Sequence, residues 1–255
     1  MFRSVRTVTR VLGKRYGYET LGNKKNPFNE LLYIVLSSKT PPGRYQETYQ
    51  ALKKHFPRAD ALALVRPKDI AKVIVRGGLA QKRAKQISSI ARSLRTHFGR
   101  VTLSPLTRMN DREAEAFLER LPGVGVKVAR CILLFALRRK VFPVDAHCFR
   151  IVSRIGWTRD GATLTDRVAD EIQDGIPKEL RRRLHVGFVL LGRECCAPSR
   201  PRCTRCPVVQ YCETGKGPLL DRYSGPSCLG SDGGRVKRLG EGGLPVRRGS
   251  GEKPG

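Results

Sequence analysis

Apolar residues recur at three- and four-residue spacing along most of the chain, a spacing that predicts helices. The runs cover about 28–36, 43–55, 81–98, 111–120, 126–139, 149–155, 165–173 and 177–192. Residues that start or stop helices bound them, such as Asn26-Pro27 before the first run and Gly99 after the third. No useful stretch alternates apolar and polar residues as a strand would. The pattern therefore predicts an all-α fold.

The same periodicity predicts which side chains are buried. In the run 43–55 the stripe Tyr45, Tyr49, Leu52 and Phe56 is expected in the core, not on a surface that stacks with a ligand. The run 81–98 has an apolar face, and the opposite face is expected in solvent: Lys82, Arg83, Lys85, Arg92 and Arg95.

Two glycines interrupt the helical pattern at Leu121-Pro122-Gly123-Val124-Gly125, which predicts a tight turn between two helices. The second helix then starts with free backbone N–H groups and the positive end of its dipole. Such an end binds phosphate well. Gly123, Val124 and Gly125 are therefore candidate contacts to a nucleic-acid backbone.

Lys127 lies in the first turn of that second helix. The dipole and partial burial both disfavour an ammonium there, so we expect its pKa to be lowered and its amine to serve as a nucleophile. Asp145 precedes the run 149–155, which Gly156 closes, and reads as an N-cap. An N-cap carboxylate stays ionised, and it can stabilise a sugar cation or take a proton.

The charge of the chain predicts a polyanionic partner. The chain contains 50 Lys and Arg residues but only 22 Asp and Glu residues, which gives a formal net charge of +28. No apolar run is long enough to cross a membrane, and the N-terminal residues carry no secretory signal, so we expect no membrane partner and no secretion. Residues 216–255 are rich in glycine and charge, and we expect this tail to be disordered.

Four cysteines, Cys196, Cys203, Cys206 and Cys212, follow the spacing C-x6-C-x2-C-x5-C. Thiolates this close together bind zinc or an iron–sulfur cluster. Structural zinc usually pairs two short knuckles, and this pattern has only one. Cys195 breaks the spacing and is expected to be a bystander.

The glycine turn with Lys127, the aspartate in Phe142-Pro143-Val144-Asp145 and the cysteine spacing together resemble the endonuclease III superfamily of DNA glycosylases. The resemblance runs from about residue 26 to 212. It implies a six-helix barrel at 27–138 that carries the helix-hairpin-helix. It also implies a discontinuous second domain, at 1–26 and 139–215, with a 4Fe-4S cluster on the four cysteines.

The resemblance also assigns roles. The residue matching Lys127 attacks the sugar C1′, and the one matching Asp145 assists. Leu79 matches an apolar wedge and Gln81 its polar neighbour, although Leu79 is equally compatible with a core position. Lys39 stands where the family usually has glutamine, which leaves the opposite base open. His147 matches a family position, although a lone helix histidine is more often simply packed.

These features favour a bifunctional DNA glycosylase and apurinic/apyrimidinic lyase that removes damaged, mainly oxidised, pyrimidines from duplex DNA and also acts at abasic sites. The alternatives are a monofunctional glycosylase for mismatched or methylated pyrimidines and a non-catalytic DNA-binding module with a structural metal. Adenine glycosylases carry a catalytic glutamate where this chain has Ile34. We expect a monomer that works in the cytoplasm and nucleoid of a bacterium, or in the nucleus or an organelle of a eukaryote.

Overall fold

The computed structural model describes residues 2–17 and 21–216, and these contain helices but no β-strand. The all-α prediction is confirmed. The predicted tail lies outside the described residues, apart from Lys216. The helices are α1 Val5–Tyr16, α2 Pro27–Ser37, α3 Pro42–His55, α4 Ala61–Leu64, α5 Pro67–Val73, α6 Ala80–Phe98, α7 Asp111–Glu119, α8 Val126–Phe135, α9 Ala146–Ile155, α10 Asp166–Gly175, α11 Arg181–Glu194 and α12 Glu213–Lys216.

Side-chain caps set where several helices begin. The Asn26 side chain accepts a hydrogen bond from the backbone N–H of Asn29 at 3.0 Å, which starts α2. Asn110 and Glu113 form a reciprocal capping box at the start of α7. Gly156 ends α9 in the left-handed conformation, with φ of 87°. The caps at Asn26 and Gly156 are those that the sequence predicts.

Helix α8 ends earlier than the sequence predicts. The apolar run suggests a helix to residue 139, but α8 stops at Phe135. Beyond it Arg138 takes a left-handed φ of 54°, and the Arg139 N–H donates to the Leu133 carbonyl at 2.8 Å. The chain therefore turns away from the axis of α8, and the segment that follows leads to Asp145.

The buried apolar side chains form two clusters. The first draws on α2 to α8 and extends from Phe28 to Val141, with Val186 added from α11. The second combines α1 with residues from Phe142 to Val208. The division into a barrel and a discontinuous domain stays a prediction, and these clusters are compatible with it.

Buried arginines connect the parts built around the two clusters. Arg130 on α8, 4% exposed, pairs with Glu115 on α7 and with Asp170 on α10. Arg181, 7% exposed, donates only to backbone oxygens, those of Lys140, Gln173 and Ile176. A buried guanidinium needs several partners, and here those partners belong to different segments.

Arg83 holds two loops together at the start of α6. Its guanidinium donates to the Gly77 carbonyl at 2.7 Å and to the Gly78 carbonyl at 2.9 Å. It also donates to the Ser38 carbonyl and, at 2.7 Å, to the Thr40 hydroxyl. Arg83 is only 4% exposed, so its predicted place on the solvent face is wrong. The reason is that its partners, three backbone carbonyls and the Thr40 hydroxyl, lie on two loops that are distant from each other in sequence.

No helix among the described residues combines the length and the apolar character needed to span a bilayer.

We expect Arg83→Met to lower the free energy of unfolding by about 2–4 kcal/mol, because it leaves several buried carbonyls without a donor while keeping the aliphatic stem. Urea unfolding followed by circular dichroism measures the change. Arg95→Met on the exposed face of the same helix is the matched control and should shift stability by about 0.5 kcal/mol or less. Equal effects of the two substitutions would contradict the role given to Arg83.

Candidate active site

A cleft of about 780 Å³ lies where the two clusters meet. It brings together Lys39, Lys127, Asp145 and His147 from the sequence prediction, and adds His185 from α11. A second cleft, of about 790 Å³, lies between α7 and α10. Its central Arg130 is already paired with carboxylates. The first cleft is therefore the candidate active site.

The turn between α7 and α8 has the geometry predicted for an anion site. Gly123 has a φ of 70°, and its carbonyl accepts a hydrogen bond from the Gln86 side chain at 2.9 Å. Gly125 begins α8 without any side-chain cap, so its first-turn N–H groups are open to a ligand. Val124 is only 5% exposed and packs in the first cluster, so only its backbone can face DNA.

Asp145 is the N-cap of α9, as predicted. One carboxylate oxygen accepts a hydrogen bond from the Cys148 N–H at 2.8 Å. Burial alone would raise the pKa of Asp145, but His185, this hydrogen bond and the nearby Lys127 ammonium together lower the pKa below its usual value. Asp145 is therefore an ionised carboxylate at neutral pH.

The expectation of a lowered pKa for Lys127 is wrong. The pKa is raised, because Cys131 when ionised, Asp145 and Glu30 all favour the ammonium and outweigh burial. Burial raises the pKa of the Cys131 thiol to about 11, so at neutral pH the thiol is uncharged, and Asp145 and Glu30 are the nearby carboxylates that favour the ammonium. Lys127 is therefore an ammonium near an ionised aspartate in the protein without DNA.

His185 is a residue of the cleft that the sequence does not reveal. It is 2% exposed, and its Nδ1 lies 3.0 Å from the Pro143 carbonyl and 3.4 Å from the Cys148 sulfur. Burial lowers the pKa of His185, so its ring is neutral at neutral pH and acts through hydrogen bonds. The ring supports the loop that presents Asp145. A lone histidine in an apolar helix gives no signal for this.

His147 lines the cleft but is also packed. Its Nδ1 lies 3.0 Å from the Arg150 guanidinium, and its ring fills the space that a side chain at Gly192 would need. Burial lowers the pKa of His147, which leaves it neutral at neutral pH. This position is compatible with both interpretations of His147, as a functional residue of the family and as a packed helix histidine.

The loops that carry Lys39 and Leu79 lie side by side because Arg83 binds both. Lys39 and Leu79 take left-handed φ values of 55° and 50°, which side chains rarely adopt. Leu79 is 55% exposed, so the alternative of a core position is wrong. Leu79 and the exposed Gln81 are not among the residues that line the cleft.

The cysteine loop is attached to α9, the helix that Asp145 caps. Arg150 donates to the Cys196 carbonyl at 2.9 Å, and Arg154 donates to the Cys196 sulfur at 3.1 Å. The Cys212 sulfur in turn contacts the Arg154 carbonyl at 3.1 Å. One helix therefore joins this loop to Asp145.

The donor set of this loop fits a metal cluster by its chemistry. Burial raises the pKa of Cys206 to about 12, and the neighbouring thiols Cys195, Cys196 and Cys212 contribute to that rise. Thiols raise one another's pKa in this way only when they lie close together. A bound metal cation has the opposite effect, because it stabilises the thiolates and lowers their pKa. Within residues 2–17 and 21–216, however, no three potential ligands are already arranged around a common point.

Comparison with known proteins identifies the family of the chain. Residues 32–178 match the family described as HhH-GPD superfamily base excision DNA repair protein. Endonuclease III of Thermotoga maritima is 31% identical over 205 residues, covering 77% of this chain and 89% of that protein. A candidate DNA glycosylase of Arabidopsis thaliana is 32% identical over 179 residues, covering 69% of this chain and 61% of the relative.

Solved structures share the fold. A non-covalent endonuclease III–DNA complex superposes with a TM-score of 0.74 at 23% identity, covering 87% of this chain and 100% of that chain. A thermostable thymine-DNA glycosylase gives a TM-score of 0.69 at 20% identity, covering 83% of this chain and 94% of that one. The predicted all-α fold class of the helix-hairpin-helix DNA glycosylases is thereby confirmed. The chain belongs to the helix-hairpin-helix Gly/Pro-Asp superfamily of base excision repair enzymes, as a DNA glycosylase of the endonuclease III family.

Proposed function

We propose that the enzyme is a bifunctional DNA glycosylase and apurinic/apyrimidinic lyase that removes oxidised pyrimidines from duplex DNA. The observation that carries the proposal is the pairing of a lysine and an ionised aspartate in one cleft, each shifting the pKa of the other. A glycosylase that only activates water needs no amine there, so Lys127 favours the bifunctional reaction.

In the proposed reaction Lys127 first loses a proton, which Asp145 relays to the departing base. The neutral Nζ then forms a bond to C1′ while the glycosidic C–N bond breaks, and the base leaves with that electron pair and takes the proton. The C1′–O4′ bond of the sugar ring then breaks as one N–H proton passes from Nζ to O4′, which gives a protonated Schiff base between Nζ and C1′. Loss of a proton from C2′ then expels the 3′-phosphate by β-elimination, and the strand is cut 3′ to the lesion.

Asp145 acts through its charge. As the base departs, positive charge develops on the sugar, and a fixed carboxylate stabilises it. The Cys148 N–H and the start of α9 keep that carboxylate ionised and oriented. We propose that His185 holds the same loop from beneath, through its contact with the Pro143 carbonyl.

The partner is duplex DNA that contains a damaged base or an abasic site. The uncapped start of α8, with Gly123 and Gly125, is suited to hold a phosphate. A base must leave the stack before its glycosidic bond can be cut. Leu79, exposed in a strained conformation, suits a wedge that fills the gap, with Gln81 beside it. Lys39 and His147 lie in the cleft and suit contacts to the extruded nucleotide.

Cys196, Cys203, Cys206 and Cys212 would hold a 4Fe-4S cluster. The cluster would supply structural closure of the loop, which carries arginines that can meet phosphates. Because Arg150 and Arg154 join this loop to α9, a closed loop also steadies the helix that Asp145 caps. We further propose that the enzyme acts as a monomer in the compartment that holds the DNA.

Replacing Lys127 by glutamine should reduce borohydride trapping on an abasic duplex to background, because no amine remains to form the Schiff base, while DNA affinity changes little. Trapping followed by gel electrophoresis, with a parallel binding titration, measures both. Lys178→Gln, on an exposed position outside the cleft, is the matched control and should trap normally. A Lys127→Gln variant that still traps would overturn the lyase assignment. Normal base release without any trapping in the wild type would point to a monofunctional glycosylase.

The raised pKa of Lys127 predicts a steep dependence on pH. Below that pKa the neutral amine increases about tenfold per pH unit, so the single-turnover trapping rate should rise steadily from about pH 6 to 9. Asp145, with its lowered pKa, stays ionised over this range and adds no inflection. Asp145→Asn should lower the rate by roughly a hundredfold or more at every pH. A plateau of the wild-type rate at neutral pH would show instead that the amine is already neutral there.

Replacing Cys212 by serine should lower bound iron, remove visible absorption and reduce the melting temperature, because one of the four thiolates is lost. Iron analysis, absorption spectra and thermal unfolding measure these changes. Cys195→Ser is the matched control, since Cys195 lies outside the ligand spacing, and it should keep its iron. A colourless wild-type protein that contains zinc would contradict the cluster.

A further inference from the structure

One wall of the cleft contains a buried hydrogen-bond acceptor without a partner. Asn23 lines the cleft, and its side-chain Oδ1 is buried and receives no hydrogen bond from the described part of the chain. Buried polar atoms are nearly always hydrogen-bonded, and leaving one unpaired is costly. An orphan acceptor in the reaction cleft therefore points to a ligand that donates.

Glu30 fixes which way the Asn23 amide faces. Its carboxylate is fully buried and accepts hydrogen bonds from Asn23 Nδ2 and from the Lys24 N–H, both at 2.5 Å. In this arrangement both Glu30 oxygens accept, so the NH₂ group of Asn23 faces Glu30. The carbonyl oxygen is left without a donor among the described residues, on a side chain that lines the cleft.

The loop that carries Asn23 is held against aromatic rings. Tyr33 donates its hydroxyl to the Leu21 carbonyl at 3.3 Å and packs edge-on against Tyr45, with 5.1 Å between ring centroids. Leu21, Tyr33 and Tyr45 line the cleft together with Asn23. A largely apolar, aromatic wall with one polar acceptor is the kind of surface that receives a planar heterocycle.

Asn23 also lines the same cleft as Lys127. Glu30, its hydrogen-bond partner, is near enough to Lys127 to favour the ammonium. A nucleotide whose C1′ meets Lys127 can therefore direct its base towards the Asn23 wall.

We infer that Asn23 is a specificity residue whose Oδ1 accepts a hydrogen bond from a ring or amino N–H on the Watson–Crick edge of the extruded pyrimidine. Imide pyrimidines such as thymine glycol offer N3–H, and amino pyrimidines such as 5-hydroxycytosine offer the N4 amino group. The inference rests on the proposed function, because it concerns the base that the same cleft would expel. An abasic site has no base and cannot use Asn23.

The test compares base release with abasic processing in full-length variants. For Asn23→Ala, single-turnover release of thymine glycol and of 5-hydroxycytosine should fall roughly tenfold relative to trapping on an abasic duplex. A loss confined to thymine glycol identifies the N3–H donor, and a loss on both bases identifies a shared N–H contact. Asn29→Ala, on the same helix as Glu30 but away from the cleft, is the matched control and should keep the wild-type ratio.

Glu30→Gln keeps the test decisive if Asn23→Ala does not fold. The Lys24 N–H needs an acceptor, so the oxygen of the new side-chain amide would face Lys24 and its NH₂ group would face Asn23. The Asn23 amide would then rotate so that its own oxygen accepts from this NH₂ group. A donor would then face the cleft, and thymine glycol release should fall relative to abasic trapping.

Three results would overturn the inference. Ratios within twofold of the wild type in both Asn23→Ala and Glu30→Gln would show that Asn23 does not read the base. Parallel losses of release and trapping would show a structural role only. A wild-type enzyme that traps abasic sites but releases neither base would remove the inference together with the proposed substrate class, whereas absence of any trapping would overturn the lyase proposal itself.

Discussion

A charged side chain that is buried needs hydrogen-bond or ion-pair partners, and this requirement determines how several segments of the protein are held together. Glu30, Arg83, Arg130 and Arg181 are all nearly or fully buried, and each binds residues outside its own helix. Removing one partner would strand a charge in the interior at a cost of several kcal/mol, of order 3–5. Hydrogen bonds to buried charged groups therefore hold loops in place alongside the apolar packing of the two clusters.

The same requirement explains the electrostatics of the cleft. Lys127 and Asp145 lie where the two apolar clusters meet, and each charge stabilises the other against the cost of burial. In the proposed reaction the resting enzyme thus keeps the Lys127 amine protonated. The amine would become reactive only when a departing base accepts that proton, which would protect it from other electrophiles in the meantime.

Much of the fold was predictable because its signals are local. Helix periodicity and the caps at Asn26, Asp145 and Gly156 follow from short stretches of sequence. The errors share a different origin. Arg83 is buried because two distant loops supply carbonyls, and the pKa of Lys127 is raised in part by Glu30, which lies on another helix. The local sequence predicts which face of a helix is buried and where the helix is capped. It does not predict which distant loops contact each other in the folded chain.

Helix α1 packs in the second cluster, among residues that come from the far end of the described chain. The first cluster uses nearly continuous sequence and can form early, whereas α1 must wait for a closure across most of the chain, which slows folding. The cleft takes walls from both clusters. A chain still emerging from the ribosome therefore holds Lys127 before the aspartate is in place, and enzymatic competence arrives only with the last helices.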